Sequence, residues 1–369
     1  MNRTLKCLAD EGVSVWLDDL SRHLLRTGRL ARLVRSGTVV GLTTNPTIFH
    51  DALGEDAEYE EEMQALRERG MSALAAVRAL TTGDVRAACD VLAPVYEATG
   101  GRDGRVSIEV DPRWARDTER TIEEARQLWH IVDRPNAMIK IPATVEGLPA
   151  ITTCLAEGIS VNATLIFSVR RYHQVIDAFL TGLEKAKAAG IPLSEIGAVA
   201  SFFISRVDTE VDRRLDAIAT SAAAALRGRV AIANARLGYL LYENMLRDSR
   251  WLELRAAGAA PMRPLWASTG VKDPAYVDTR YVTELVAPGT VNTMPAATLD
   301  AVIAHGTVSG DRVTTNYDDA WVVFGQLAEV GIDFEEVLEQ LEHEGIAKFQ
   351  TSWQALIGAV ERLLSGGRS

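Results

Sequence analysis

Eight short apolar runs, most of them followed by a helix-like stretch, constrain this chain more than any other feature. They are Val13–Leu17, Thr38–Leu42, Arg105–Val110, the Lys140 run within Ala137–Thr144, Ile159–Phe167, Ile196–Ile204, Pro264–Ala267 and Thr283–Val286. Runs this short, bounded by Gly, Pro, Asp or Asn, read as buried strands. Helical spacing fills the intervals at Ser21–Val34, Tyr59–Tyr96, Asp117–Trp129, Leu148–Glu157, around Tyr172–Phe179 and over Val211–Arg255. Interruptions are expected near Gly70 and at Thr82-Gly83. From Ala296 onward the pattern is helical, with a break expected at Gly345 and a loose tail at Ser365–Ser369.

Eight strands alternating with helices imply an α/β protein, a (β/α)8 TIM barrel with additional helices. A doubly wound open sheet is the competing arrangement. No GxGxxG or Walker pattern follows the first strand, so nothing supports a nucleotide-binding fold. The 369 residues read as one barrel domain, with 296–369 as its C-terminal helical extension.

Polar residues recur where these strands end. Asp18, Asn45, Glu109, Lys140, Asn162 with Thr164, Ser201 with Arg206, and Ser268 mark seven of the eight. In a barrel such ends meet at one mouth, where barrel enzymes hold their active sites. A single polar strand end is accounted for by capping of the next helix. Seven are not.

Lys140 is the most demanding of them, because AMIKIPAT places an ammonium inside an apolar run. Burying it costs several kcal/mol, roughly, unless it is paired or sheds its proton. Desolvation lowers a lysine pKa from about 10.4 toward 5–6 in extreme cases, which yields a neutral, nucleophilic amine. The chain has only six lysines among 39 basic residues, and arginine cannot form a Schiff base. The alternative is a strand-end lysine snorkelling its head to water.

Composition removes other classes. A net charge of −11 argues against a general nucleic-acid or anionic-membrane binder, though a local basic pocket could still hold a phosphate. No apolar run approaches the ~20 residues needed to span a bilayer. MNRTLKCLADEG lacks the apolar core of a secretory signal, and Cys7, Cys89 and Cys154 are scattered and odd in number. A soluble protein of a reduced, cytoplasmic compartment is expected. His23, His50, His130, His173, His305 and His343 share no strand end, and no HExxH or Cys/His cluster marks a metal site.

GLTTNPTIF (41–49), MIKIPAT (138–144), NATLIFS (162–168), SFFISRVD (201–208) and WASTGVKDP (266–274) resemble the transaldolase signatures, in that order. The resemblance spans Val13 to about Asn292. It implies Schiff-base transfer of a dihydroxyacetone unit between sugar phosphates in the non-oxidative pentose phosphate pathway, without metal or organic cofactor. Sedoheptulose 7-phosphate or fructose 6-phosphate would be the donor, glyceraldehyde 3-phosphate or erythrose 4-phosphate the acceptor. Monomers, dimers and larger assemblies occur among such barrels, so a homodimer stays open.

Carried over residue by residue, the resemblance makes Lys140 the Schiff-base amine and Asp18 the general acid/base. Glu109 and Thr164 resemble the pair that holds a catalytic water. Asn45, Asn162 and Ser201 would position substrate hydroxyls, with Phe203 as an apolar wall. Arg206, Ser268 and Lys272 look like the phosphate site. Each residue keeps a simpler reading: a cap for Asp18, an ion pair with Arg105 or Arg113 for Glu109, a plain strand threonine for Thr164. The asparagines could be turn residues, and Phe203 plain core.

One departure stands out. Several family members carry arginine two residues after the serine, where this chain has Gly270. Two other functions compete, a fructose 6-phosphate aldolase-type lyase and a non-catalytic sugar-phosphate-binding barrel. Glu109, Phe203 and the long C-terminal extension favour the transferase over the lyase.

Overall fold

The computed structural model describes residues 2–55 and 57–366, with backbone alone at 54, 55 and 57. The strands are β1 (Ser14–Asp18), β2 (Gly41–Thr43), β3 (Val106–Glu109), β4 (Ala137–Pro142), β5 (Val161–Ile166), β6 (Ala198–Phe203), β7 (Arg263–Ala267) and β8 (Val291–Met294). Each pairs in parallel with the next, and β8 returns to β1, closing an eight-stranded barrel. Helices pack around it, which buries both faces of the strands and explains why they read as nearly continuous apolar runs.

Seven of the strands lie within the expected runs or overlap them. The eighth does not. Thr283 ends a short helix, Arg280–Thr283, and Leu285 and Val286 are buried in the loop beyond it. There the Leu285 carbonyl accepts a bond from Trp266 Nε1 at 3.0 Å. The eighth strand is the later Val-Asn-Thr-Met segment, between Gly289 at φ 75° and Pro295. Leu285 and Val286 are apolar because they are buried beside Trp266 of β7, and short apolar runs do not declare strand or helix by themselves.

Glycine also misleads in the helices. Gly28, at φ 65°, splits the stretch after β1 into Arg22–Arg26 and Arg29–Arg35. Thr82-Gly83 breaks nothing, since Ala73–Ala98 is one helix. The stretch 211–255 falls instead within four helices, Ser205–Ile218, Ser221–Ala224, Val230–Met245 and Ser249–Ala256. Gly345 lies inside a continuous helix, Phe334–Leu364. Of the tail, Ser365 caps that helix, and 367–369 lie outside the described residues.

The base of the barrel is closed by polar contacts. Asp103 accepts from Ser14 Oγ (2.8 Å), Trp16 Nε1 (3.1 Å) and Arg263 Nη2 (2.9 Å), and Arg263 Nη1 also donates to Ser14 Oγ at 2.8 Å. These buried groups satisfy one another and join β1, β7 and the segment before β3.

The opposite end is crossed by Phe334–Leu364. Ser352 Oγ lies 2.8 Å from Thr47 Oγ1, and Gln350 Nε2 donates to the Pro112 carbonyl at 3.2 Å. A Cβ at Gly345 would sit 3.1 Å from Leu165 and 3.6 Å from Arg206 Nη1. This glycine therefore serves the approach of the helix to the mouth rather than its interruption.

Register pairs Trp16 with Gly41, and a Cβ at 41 would fall 2.4 Å from the indole ring. Gly41→Ala should therefore overpack the barrel and cost about 1–3 kcal/mol. Urea unfolding followed by circular dichroism checks this, with a lowered midpoint at an unchanged slope as the expected result.

Candidate active site

Lys140 lies on β4 between Glu109 of β3 and Asn162 of β5, both direct register partners. Paired residues on parallel strands share a face, so the three form one row. The Lys140 side chain is 6% exposed, and its Nζ donates to the Thr44 carbonyl at 3.1 Å with Glu109 Oε2 3.6 Å away. The Phe349 ring, from the helix crossing the mouth, lies 5.8 Å from the same nitrogen. A snorkelling lysine would reach water. This one points into the barrel.

Burial pushes the Glu109 carboxyl up to about 7, against the pull of the Lys140 ammonium and with a smaller push from Asp18. Neither alternative partner is engaged. Arg105 donates to the Gly101 carbonyl (2.7 Å) and Ser160 Oγ (3.1 Å), while Arg113 forks onto Asp111. Both Glu109 oxygens and the Thr164 hydroxyl are buried and make no hydrogen bond among the described residues. Such groups cost about 1–3 kcal/mol each and call for a functional reason. Beside Thr164 the β5–β6 register shifts, and Leu165 takes φ 58°, a bulge of the kind that re-aims side chains near active sites.

Asp18 ends β1 and accepts from Thr43 Oγ1 at 2.6 Å, and that hydroxyl is also 2.6 Å from Thr293 Oγ1 of β8. It caps no helix. The N-cap of Arg22–Arg26 is Ser21, whose hydroxyl accepts from Leu24 N. Asn45 does cap, since its Oδ1 accepts from Thr47 N (3.0 Å) and Ile48 N (3.1 Å) at the start of Pro46–Glu55. The turn reading thus holds for its oxygen, while its amide nitrogen is left for other partners. Asn162 accepts from Ser201 Oγ at 2.7 Å and donates to Ser107 Oγ at 3.0 Å, leaving one N–H and one lone pair of its amide.

Asp18, Asn45, Lys140, Ser201, Phe203, Arg206, Ser268 and Lys272 all line one cavity of about 400 Å³ at the mouth. Glu109, Asn162 and Thr164 do not line it. They lie behind its wall, and Glu109 borders a second, small cavity of about 20 Å³ together with Asn45 and Trp353. Phe203 packs on Phe167 at 5.2 Å and lies under the Arg206 guanidinium at the same distance, so it is at once core and wall. Burial lowers the Arg206 guanidinium from its ordinary value, opposed first by Glu109 and then by Asp18. Ser268 sits at φ 56°, an uncommon conformation for serine, with its hydroxyl 2.9 Å from that of Ser205.

Several lining residues escape the reading of strand ends, among them Thr293, Lys348 and Phe349. Thr293 was hidden by the misplaced eighth strand; Gly289 and Pro295 flanking a Val-Asn-Thr-Met run were the available signal. Lys348 and Phe349 come from the helix Phe334–Leu364, far along the chain, and only its fold-back across the mouth brings them in. Among the described residues, no group of three or more His, Cys, Asp or Glu could hold a metal ion.

The sequence matches the family model for transaldolase/fructose-6-phosphate aldolase over residues 15–360. It is 61% identical over 365 residues to a transaldolase of Thermobifida fusca, covering 99% of both chains. Transaldolase 1 of Streptomyces coelicolor is 60% identical, over 98% of this chain and 94% of its own. A transaldolase of Mycobacterium bovis is 58% identical over 96% of each. A closed barrel with an amine in its wall, matched over nearly its whole length by these relatives, belongs to the transaldolase/fructose-6-phosphate aldolase family.

Proposed function

We propose that this chain transfers a dihydroxyacetone unit between sugar phosphates, with Lys140 as the Schiff-base amine. The observation that carries the reading is the buried Lys140 Nζ, 3.6 Å from a carboxyl and facing a cavity with a cationic rim. The names of the full-length relatives support transfer rather than simple cleavage.

In this scheme the neutral amine attacks the C2 ketone of fructose 6-phosphate or sedoheptulose 7-phosphate, and the carbinolamine loses water to give an iminium ion. Asp18 then takes the C4 hydroxyl proton. The C3–C4 bond breaks, its electron pair passes into the iminium to form an enamine, and the aldose phosphate leaves. The enamine carbon attacks the aldehyde of a second aldose phosphate, whose oxygen recovers the proton from Asp18, and hydrolysis frees Lys140.

Glu109 and Thr164 serve the water steps. A cavity of about 20 Å³ against Glu109 has room for about one water. A carboxyl near pH 7 in its titration can both give and take a proton there. Asn45, Asn162 and Ser201 orient substrate hydroxyls, Phe203 walls off the carbon chain, and Arg206, Ser268 and Lys272 hold the phosphate. The barrel and its 296–369 extension act as one unit in this scheme. A cytoplasmic location goes with it, supported by three free cysteines and by no described helix being long and apolar enough to cross a membrane.

Borohydride reduction with fructose 6-phosphate should leave a reduced three-carbon adduct on Lys140, located by peptide mass mapping. No adduct, or an adduct elsewhere, would falsify the assignment. Lys140→Arg should lower turnover by at least ~10³-fold while keeping the fold. Product analysis with and without erythrose 4-phosphate tells transfer from cleavage.

Glu109 also makes a pH prediction. Its carboxyl ordinarily loses its proton near 4.5 and in the fold near 7, so between these values the native state holds a proton that the unfolded chain has released. Its contribution to stability is therefore greatest below about 4.5 and declines as pH rises through 7. Glu109→Gln removes that slope, so the Tm of the variant relative to the parent should climb from pH 5 to 8. Parallel curves would show that the carboxyl does not titrate in that window.

A further inference from the structure

The helix Phe334–Leu364 faces the mouth with residues spaced three, four and seven apart: Gly345, Lys348, Phe349 and Ser352. That spacing is one helical stripe. Gly345 lets the backbone approach Arg206, Phe349 lies near both Lys140 and Arg206, and Ser352 meets Thr47. Lys348 is thereby carried over the same cavity that Arg206, Ser268 and Lys272 line.

The surroundings of Lys348 are those of a cation awaiting an anion. Its amine is lowered from its ordinary value first by Arg206, then by burial and by Lys272. Glu344, one turn earlier, is the ordinary helix-surface partner, yet it accepts from Gln340 Nε2 at 2.7 Å. Among the described residues Lys348 makes no ion pair. Arg206 and Lys272 both repel the Lys348 ammonium, although Glu109, Asp18 and Glu344 act on Arg206, and a phosphate monoester, close to a dianion at pH 7, relieves that repulsion.

Gly270 lines the same cavity but brings no side chain to it. A Cβ there would lie 3.5 Å from Thr298 Oγ1 and 3.8 Å from Lys272 Nζ. These are ordinary van der Waals distances, so residue 270 borders the head of Lys272 and the helix after β8 without being closed off by them.

Resting on the reading given under Proposed function, we propose that Lys348 is a phosphate-binding, specificity-determining residue. The phosphate of the sugar phosphate is held jointly by Arg206, Lys272 and Lys348, so the C-terminal helix selects for phosphorylated substrates.

The test compares phosphorylated and unphosphorylated ligands on the full chain. Lys348→Ala and Lys348→Gln should raise KM for fructose 6-phosphate by roughly 10- to 100-fold, with kcat changed much less. Inhibition by inorganic phosphate should weaken in parallel. Borohydride trapping of dihydroxyacetone, which has no phosphate, should proceed on Lys140 at the parent rate. Lys348→Arg should restore most of the KM. An unchanged KM for fructose 6-phosphate in both variants would overturn the proposal, as would an equal loss with dihydroxyacetone, which marks a merely structural lysine. Failure of the parent itself to trap dihydroxyacetone on Lys140 would overturn the underlying function, and this assignment with it.

Discussion

Everything at the mouth depends on keeping one ammonium group buried in the barrel wall. Lys140 meets that demand with two neighbours, the Thr44 carbonyl at 3.1 Å and the Glu109 carboxyl at 3.6 Å. The carboxyl is itself driven toward neutrality by burial, against the pull of the Lys140 ammonium. An arginine at 140 would satisfy the same neighbours but could not give up its proton. The Schiff-base role proposed for this position thus requires lysine where stability alone would not.

Around that pair, the polar groups fall into those that face the cavity and those that hold others in place. Ser107, Asn162 and Ser201 form a hydrogen-bonded chain across β3, β5 and β6. Thr43 and Thr293 do the same between β2 and β8, and Thr43 also donates to Asp18. These links fix rotamers that would otherwise be free, and a positioned acid loses less entropy when substrate arrives. The Asn45 side chain is fixed by the helix it caps, and its remaining amide N–H groups gain a direction from that cap.

The barrel was legible because strands buried on both faces are short, apolar and separated by helices, a pattern few other folds produce. Polar residues at strand ends were legible for the same reason, since a buried Lys140 or Glu109 breaks an apolar run. What escaped was decided at long range. Leu285 and Val286 are as buried as strand residues, yet they lie in a loop against the sheet. Gly345 resembles a helix stop until the mouth of the barrel is placed beside it. Lys348 sits in an ordinary amphipathic stretch, and nothing nearby in the chain distinguishes it from a solvated lysine. Asn45 shows a subtler limit, because local sequence cannot tell a residue that caps from one that both caps and binds.

The knot of Asp103, Ser14, Trp16 and Arg263 lies at the far end from all of this. It seals the base with groups that satisfy one another and owe nothing to the substrate. The rim can therefore carry a buried carboxyl without a hydrogen bond among the described residues, crowded cations and a left-handed serine, defects that would be dangerous in a wall under shared strain. A lineage inheriting such a vessel is free to remodel its lip with side chains borrowed from a distant helix, while the foot stays as it was.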